Sequence, residues 1–328
     1  MATLEKYRYL LMTLDPVHVG TGGYRLGRVD NSIVREPGTR VPKIPGTAIH
    51  GAVRSYAARL YGTLEAAGKD HDRVDNPASN PVCYTFGYAK GLSPEGEETP
   101  GEVKTEAYSG VVNVFDAQIV LFPVHSMYGP VWVSTRQRLK NSGFTINSET
   151  NNPEPEPQAL EACLTSWDRT NPLNLGWLML PVGGKATIEA PTKWQGDCWQ
   201  EIKDRLVLVS EGLFSQVVNS NLEVRTSVSI DPWRGAAEDK ALFTYEALPR
   251  ATFLTLEIVV DDYREAFPPV EQFGANNLTW ENPADVFNEG LDLLAWLGVG
   301  GMGTRGFGRL TRVGDPVLVN PGEEPCHE

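Results

Sequence analysis

The chain has 328 residues, 41 % of them hydrophobic and 22 % charged, the proportions of a folded protein with a sizeable core. Its formal net charge of −13 speaks against a general nucleic-acid binder. No apolar run approaches the length of a membrane span and the N-terminus lacks a signal-peptide layout, so a cytoplasmic protein is expected.

Tyr7 to Leu14 is apolar and aromatic and ends at Asp15-Pro16, which predicts a strand. A glycine-rich loop, His18 to Asp30, follows. Beyond Pro45, the residues Ile49, Ala52, Val53, Tyr56, Ala57 and Leu60 recur at three- and four-residue steps, the pattern of an amphipathic helix. His50 and Arg54 lie four apart on another stripe. Residues 64–82 and 91–106 are polar and rich in Gly, Pro and acids, so long loops are expected there. Val114 to Val124 and Pro130 to Ser134 read as strands, and the Pro-Glu stretch 151–157 as an excursion. Lys185 to Ala190, Leu206 to Val209 and Ala251 to Val260 are further strands. Pro283 to Leu297, with Phe287, Leu291 and Leu294 aligned, predicts a second helix that runs into a glycine loop and a closing strand.

This order fits an α+β sandwich, best described as an RRM- or ferredoxin-like core with large insertions, elaborated as a single domain over residues 1–328. The insertions fall at approximately 60–110 and 145–160. The four cysteines, Cys83, Cys163, Cys198 and Cys326, are scattered without zinc or redox spacing and read as reduced packing residues.

Charge is segregated. Between residues 19 and 59 stand Arg25, Arg28, Arg35, Arg40, Lys43, Arg54 and Arg59 against only Asp30 and Glu36, and Gly300 to Val313 adds Arg305, Arg309 and Arg312 without an acid. A basic groove on an acidic body is one reading; solvated faces are the other. The segment Gly298 to Gly308 has six glycines in eleven positions. Backbone N–H groups at Gly300 and Gly301 could approach phosphates with Arg305 and Arg309 in support, or the segment could be a helix cap followed by a mobile hairpin. Arg25 and Arg28 could grip an RNA backbone while Lys43, His50 and Arg54 line a groove; the alternative is a flexible turn beside a solvated helix. Asp30 is the only acid between Val19 and Arg35. It could hold a divalent ion or handle a proton beside a scissile phosphate, or serve as a turn, cap or ion-pair residue. His18 could be a general base, a phosphate donor or a structural residue. Tyr24, Trp233, Phe243 and Tyr245 could stack bases or anchor loops.

The stretches DPVHVGTG, RLGRVDNSIVRE, VPKIPGTAIHGAVRSY, VFDAQIVLFPVHS, RLVLVSEGLFSQVV, EVRTSVSID, KALFTYEALPR and GVGGMGTRGFGRL, in this order, resemble the RAMP superfamily of CRISPR systems. They are most similar to the backbone (fourth) subunits of type III-B Cmr effector complexes. The resemblance implies an RRM-like palm and a protruding β-hairpin thumb over approximately 217–250, centred on Val224 to Leu248. It also implies copies of the chain stacked along a guide CRISPR RNA with other type III subunits, and an endoribonuclease that cuts target RNA at regular intervals. Asp30 matches the family's cleaving aspartate, with Mg or Mn as the divalent metal, and His18 its loop histidine. His50 stands where relatives carry a guide-contacting lysine, and around KALFTYEALP only Glu246 matches their paired acids. A non-catalytic backbone protein, a guide-processing endonuclease and an unrelated acidic enzyme are the alternatives.

Overall fold

A computed structural model describes residues 3–22, 29–68, 73–90, 106–148, 162–270 and 278–320. Strand β1 (Thr3–Thr13) leads through the first loop and β2 (Lys43–Ile44) to helix α1 (Gly46–Tyr61). Next come α2 (Pro81–Phe86), the hairpin of β3 (Gly87–Lys90) and β4 (Glu106–Ser109), β5 (Val112–Val114), and the hairpin of β6 (Ala117–Ser126) and β7 (Gly129–Ser134). The middle of the chain is built from short pieces: α3 (Arg136–Asn141), β8 (Thr145–Ser148), β9 (Cys163–Thr165), β10 (Leu173–Leu175), β11 (Leu178–Leu180), β12 (Val182–Glu189), α4 (Asp197–Ile202) and β13 (Leu206–Leu208). Helix α5 (Glu211–Ser220) precedes a long hairpin, β14 (Glu223–Asp231) and β15 (Ala236–Ala247). The chain continues with β16 (Phe253–Asp262), α6 (Pro283–Asp292), α7 (Leu294–Leu297), β17 (Leu310–Arg312) and β18 (Val317–Val319).

One mixed sheet runs in the order β17-β1-β16-β6-β7-β13-β9-β12-β8. Its first four strands are antiparallel neighbours. They are reached along the chain as β1-α1-β6 and β16-α6-β17, which puts the last strand beside the first and a helix in each crossover. The run Tyr9-Leu10-Leu11 does not alternate in polarity because both sheet faces are covered. Tyr9 and Leu11 join the core under α1 and α6, and the Tyr9 hydroxyl donates to Asn288 Oδ1 at 2.9 Å. Leu10 points to the other face, into a second core with Val120, Phe144, Trp194 and Phe253.

Helix α1 buries Ile49, Val53 and Ala57 as its periodicity predicts, together with Ala58, Tyr61 and Arg54. No side chain caps it from Pro45; the Gly46 amide instead donates to Asp116 Oδ1 at 2.8 Å. The two helices approach closely because α6 offers no side chain at Gly290, where a Cβ would lie 2.6 Å from the Val53 carbonyl oxygen. The predicted second helix divides at Leu293 into α6 and α7, with Phe287, Leu291 and Leu294 buried; α6 opens with a capping box between Asn282 and Asp285 and Pro283 in its first turn.

The described part of 64–82 is better ordered than a long loop. Asn80 caps α2 by accepting from Val82 and Cys83, and Ala66, Val74 and Pro77 are buried. Most of the other expected insertions, residues 91–105 and 149–161, lie outside the described residues.

Candidate nucleic-acid interface

The two glycine segments, nearly three hundred residues apart in sequence, are packed against each other. The Gly301 amide donates to the His18 carbonyl at 2.9 Å, and the Gly308 amide to the Pro16 carbonyl at 2.9 Å. Gly300 has φ +87°, and a Cβ on it would run into the His18 carbonyl oxygen. The segment also closes on itself, Val299 donating to the Gly308 carbonyl at 2.9 Å. It is therefore a compact, hydrogen-bonded loop rather than a hairpin extending into solvent.

Between this loop and α1 lies a cleft of about 400 Å³, lined on the helix side by residues such as Thr47, Gly51 and Tyr56 and on the loop side by Val299, Gly300 and Gly303. The Tyr56 hydroxyl donates to the Gly298 carbonyl at 2.6 Å and ties the two walls together. The lining is uncharged, so the cleft is not itself the basic groove expected from charge segregation.

The cations stand elsewhere. Arg305 is exposed on the turn Gly303–Arg305. Arg309 pairs with Asp15 at 2.5 Å, and Arg309, with support from Arg250 and Arg225, holds the Asp15 carboxyl below the usual carboxylate range. Arg225 and Arg250 escaped the sequence reading because only the fold brings them near Asp15. Lys43 is held between Glu36 at 2.7 Å and Asp116 at 2.6 Å, which fixes the start of α1. Arg54 turns inward, 9 % exposed, and donates from Nε to the Ala66 carbonyl at 2.8 Å. His50 meets Phe86 edge-on at 5.2 Å, and burial, with Arg54 nearby, pushes its pKa down. Lys43, His50 and Arg54 thus brace local structure around α1 and do not line the cleft. Arg25, Arg28 and Tyr24 lie outside the described residues.

Strand β15 organises the first loop. Asn31 donates to the Thr244 carbonyl at 3.0 Å, and Glu246 donates to the Asn31 carbonyl at 3.2 Å. The Glu246 carboxylate, 7 % exposed, accepts from the Ile33 amide at 2.9 Å and takes both ends of the Arg35 guanidinium at 2.5 and 2.8 Å. Its carbonyl accepts from His18 Nδ1 at 2.6 Å. A carbonyl can only accept, so the Nδ1 proton is fixed and neutral His18 keeps its lone pair on Nε2. His18 is buried, edge-on to Tyr245 at 6.1 Å, and Tyr245 in turn packs on Phe307 at 5.4 Å. Tyr245 is therefore an anchor between hairpin and glycine loop, with Phe243 packed beside it. Trp233, at the turn of the β14–β15 hairpin, is 95 % exposed.

Asp30 is exposed, and Thr244 holds it. The Thr244 amide and hydroxyl donate to Asp30 Oδ2 at 2.7 and 2.9 Å, and the Asp30 amide donates back to the Thr244 hydroxyl at 3.1 Å. The Thr244 amide, then its hydroxyl, keep the Asp30 pKa below the ordinary carboxylate value. Thr244 was not foreseen, although the T-x-E spacing of Thr244 and Glu246 puts both on one side of a strand. Among the described residues no group of three His, Cys, Asp or Glu side chains converges. A divalent ion here would have a single protein carboxylate, which fits an ion that arrives with phosphate oxygens and water.

The chain belongs to the RAMP superfamily, whose family model matches residues 10–311. Among curated proteins it is 25 % identical to the CRISPR system Cmr endoribonuclease Cmr4 of Pyrococcus furiosus, over 269 residues that make up 78 % of this chain and 82 % of the relative. Its fold is similar to a chain in the cryo-EM structure of the type III-B Cmr-beta complex bound to cognate target RNA, with TM-score 0.58 and 15 % identity over 94 % of this chain and 97 % of that one. Crystalline oligomeric Cmr4 from Pyrococcus furiosus matches with TM-score 0.51 and 18 % identity over 97 % and 100 % of the two chains. These structures share the mixed α/β fold built on the large sheet. No helix among the described residues is long and apolar enough to cross a membrane.

Proposed function

We propose that this chain is a guide-RNA-binding backbone subunit of a type III CRISPR effector complex, cytoplasmic and repeated along the guide, and that it cuts target RNA at Asp30. Strands β17, β1, β16 and β6 with α1 and α6 serve as a ferredoxin-like palm, and the β14–β15 hairpin as the thumb. The curated relative's name supports the endoribonuclease reading, and the target-RNA-bound complex in which a chain shares this fold supports target RNA as a partner. Backbone amides and small side chains in the cleft between α1 and the glycine loop would pass an RNA backbone without reading its bases, leaving sequence to base pairing.

The observation that carries cleavage is the fixing of Asp30 to the hairpin strand by Thr244. A carboxylate whose pKa is held down is a weak proton acceptor and a good fixed anion. Its role is then charge placement beside a target phosphate. A Mg or Mn ion at Asp30 would neutralise phosphate charge and polarise the phosphoryl group. His18, with its tautomer fixed by Glu246, keeps Nε2 as the ring's acceptor. The target's own 2′-hydroxyl attacks the adjacent phosphorus in line as the bond from phosphorus to the 5′-oxygen breaks, giving a 2′,3′-cyclic phosphate and a 5′-hydroxyl. The 2′-oxygen gives its proton to water and the leaving oxygen takes one from water, so the protein contributes position and electrostatics. The test is Asp30→Ala in the complex reassembled with guide RNA. Target binding should persist while fragments of regular length disappear; an unchanged fragment ladder overturns the assignment of Asp30.

A further inference from the structure

Oδ2 of the Asp30 carboxylate accepts twice, from the amide and the hydroxyl of Thr244. The same hydroxyl accepts from the Asp30 amide, so main chain and side chain of one residue are gripped by one threonine. A hydroxyl that donates to a carboxylate and accepts from an amide uses both capacities in a single arrangement. Valine offers neither.

Thr244 itself is well fixed. It lies on β15, two residues before Glu246, whose backbone holds His18 and whose carboxylate holds Ile33 and Arg35. Residues two apart on a strand share a face and lie about 7 Å apart. The hairpin strand therefore carries the register of the aspartate and the histidine of the first loop, and a shift of the hairpin against that loop moves both.

From this geometry, and resting on the reading that Asp30 cuts target RNA, we propose that Thr244 is the positioning residue for Asp30: it holds Oδ2 through two hydrogen bonds and couples the carboxylate to the hairpin. Thr244 does not touch the reacting atoms. It acts through Asp30.

The experiment compares wild-type, Thr244→Val, Thr244→Ser and Asp30→Ala chains, each assembled with guide RNA and the other complex subunits, in single-turnover cleavage of a target RNA across a pH series. Thr244→Val should bind target like wild type but cleave on the order of tenfold more slowly, the size expected for one hydrogen bond to a charged group. Removing a donor to the anion raises the Asp30 pKa, so the acid side of the rate profile should move to higher pH. Thr244→Ser, which keeps the hydroxyl, should recover both rate and profile. Should valine prevent assembly, Thr244→Ala carries the same comparison. A Val or Ala variant with wild-type rate and profile, or a slow variant that serine does not rescue, overturns the role of Thr244 while inactive Asp30→Ala leaves the cleavage reading standing. If Asp30→Ala itself cleaves normally, that reading falls first and the positioning role falls with it.

Discussion

Arg35 and Glu246 form a two-pronged ion pair, Nη1 to Oε1 at 2.5 Å and Nη2 to Oε2 at 2.8 Å, that fastens the first loop to the hairpin strand. Arg35 also donates from Nε to Asn219 Oδ1 at 2.8 Å, so the pair reaches the last turn of α5. Three parts of the chain meet at one guanidinium. Glu246, read from sequence only as a match to one of two family acids, is thus a joint of the fold.

Glu246→Ala should destabilise the chain more than an ordinary surface change. It removes the ion-pair partner of Arg35, whose side chain is only 17 % exposed, and leaves the Ile33 amide without its acceptor. Removing one partner of such a pair costs about 2–4 kcal/mol, partial solvent access keeping it below the fully buried limit. Urea unfolding of the purified chain checks this. A loss below about 0.5 kcal/mol, the range of ordinary surface substitutions, would show the joint to be dispensable.

Gly300→Ala and Gly303→Ala should separate sharply. At Gly300 the backbone has φ +87° and a Cβ meets the His18 carbonyl, whereas at Gly303 the nearest atom is the Leu297 carbonyl oxygen at 3.9 Å. The first change should cost about 1–3 kcal/mol and loosen the contact between the glycine segments; the second should be nearly silent. Thermal melts read the difference, and guide-RNA affinity should follow the same order.

The elements that position the site were legible wherever one period governed them. Helix α1 was visible from Ile49, Val53 and Ala57, and the second helix from Phe287 and Leu291, because each face meets one layer. Strand β13 was read nearly at its observed bounds, but β9, β10 and β11, three residues each, are too short to establish a period. Helix α5 was missed; its Leu213, Phe214, Val217 and Val218 follow a helical spacing, within a stretch valued mainly for its resemblance. Arg54 lay off the apolar stripe and was expected in a groove. The carbonyls of Ala66 and Phe86 draw it inward, a destination set by chain that comes later. Thr244 and Arg250 were invisible for a similar reason, since their importance comes from partners over two hundred residues away.

Arg305 and Arg54 carry the same charge and should behave differently. Arg305→Ala, on an exposed turn, should leave the melting temperature unchanged, weaken guide-RNA binding at low salt and lower the salt slope by about one. Arg54→Ala should lower the melting temperature because it removes the donor to Ala66 and Phe86. Affinity measured from low to moderate salt, alongside thermal melts, tests both. Equal effects on stability from the two variants would contradict the assigned places.

The start of α1 should give the fold an acid limit that depends on Asp116. Burial pushes the Asp116 carboxyl up, but the Lys43 ammonium and the Gly46 amide together outweigh it and hold the pKa below its ordinary value. A carboxyl depressed in the folded state contributes stability above its unfolded value, and that contribution is lost as pH falls through the folded value. Stability should therefore decline as pH drops below about 4, the ordinary range of an aspartate. Asp116→Asn cannot titrate and leaves Lys43 with Glu36 alone, so it should be less stable at neutral pH and show a shallower decline on acidification. Urea midpoints across an acid pH series decide the matter. Parallel curves for the wild type and Asp116→Asn would mean that acid sensitivity comes from other carboxylates and that Asp116 acts at α1 through hydrogen bonding alone.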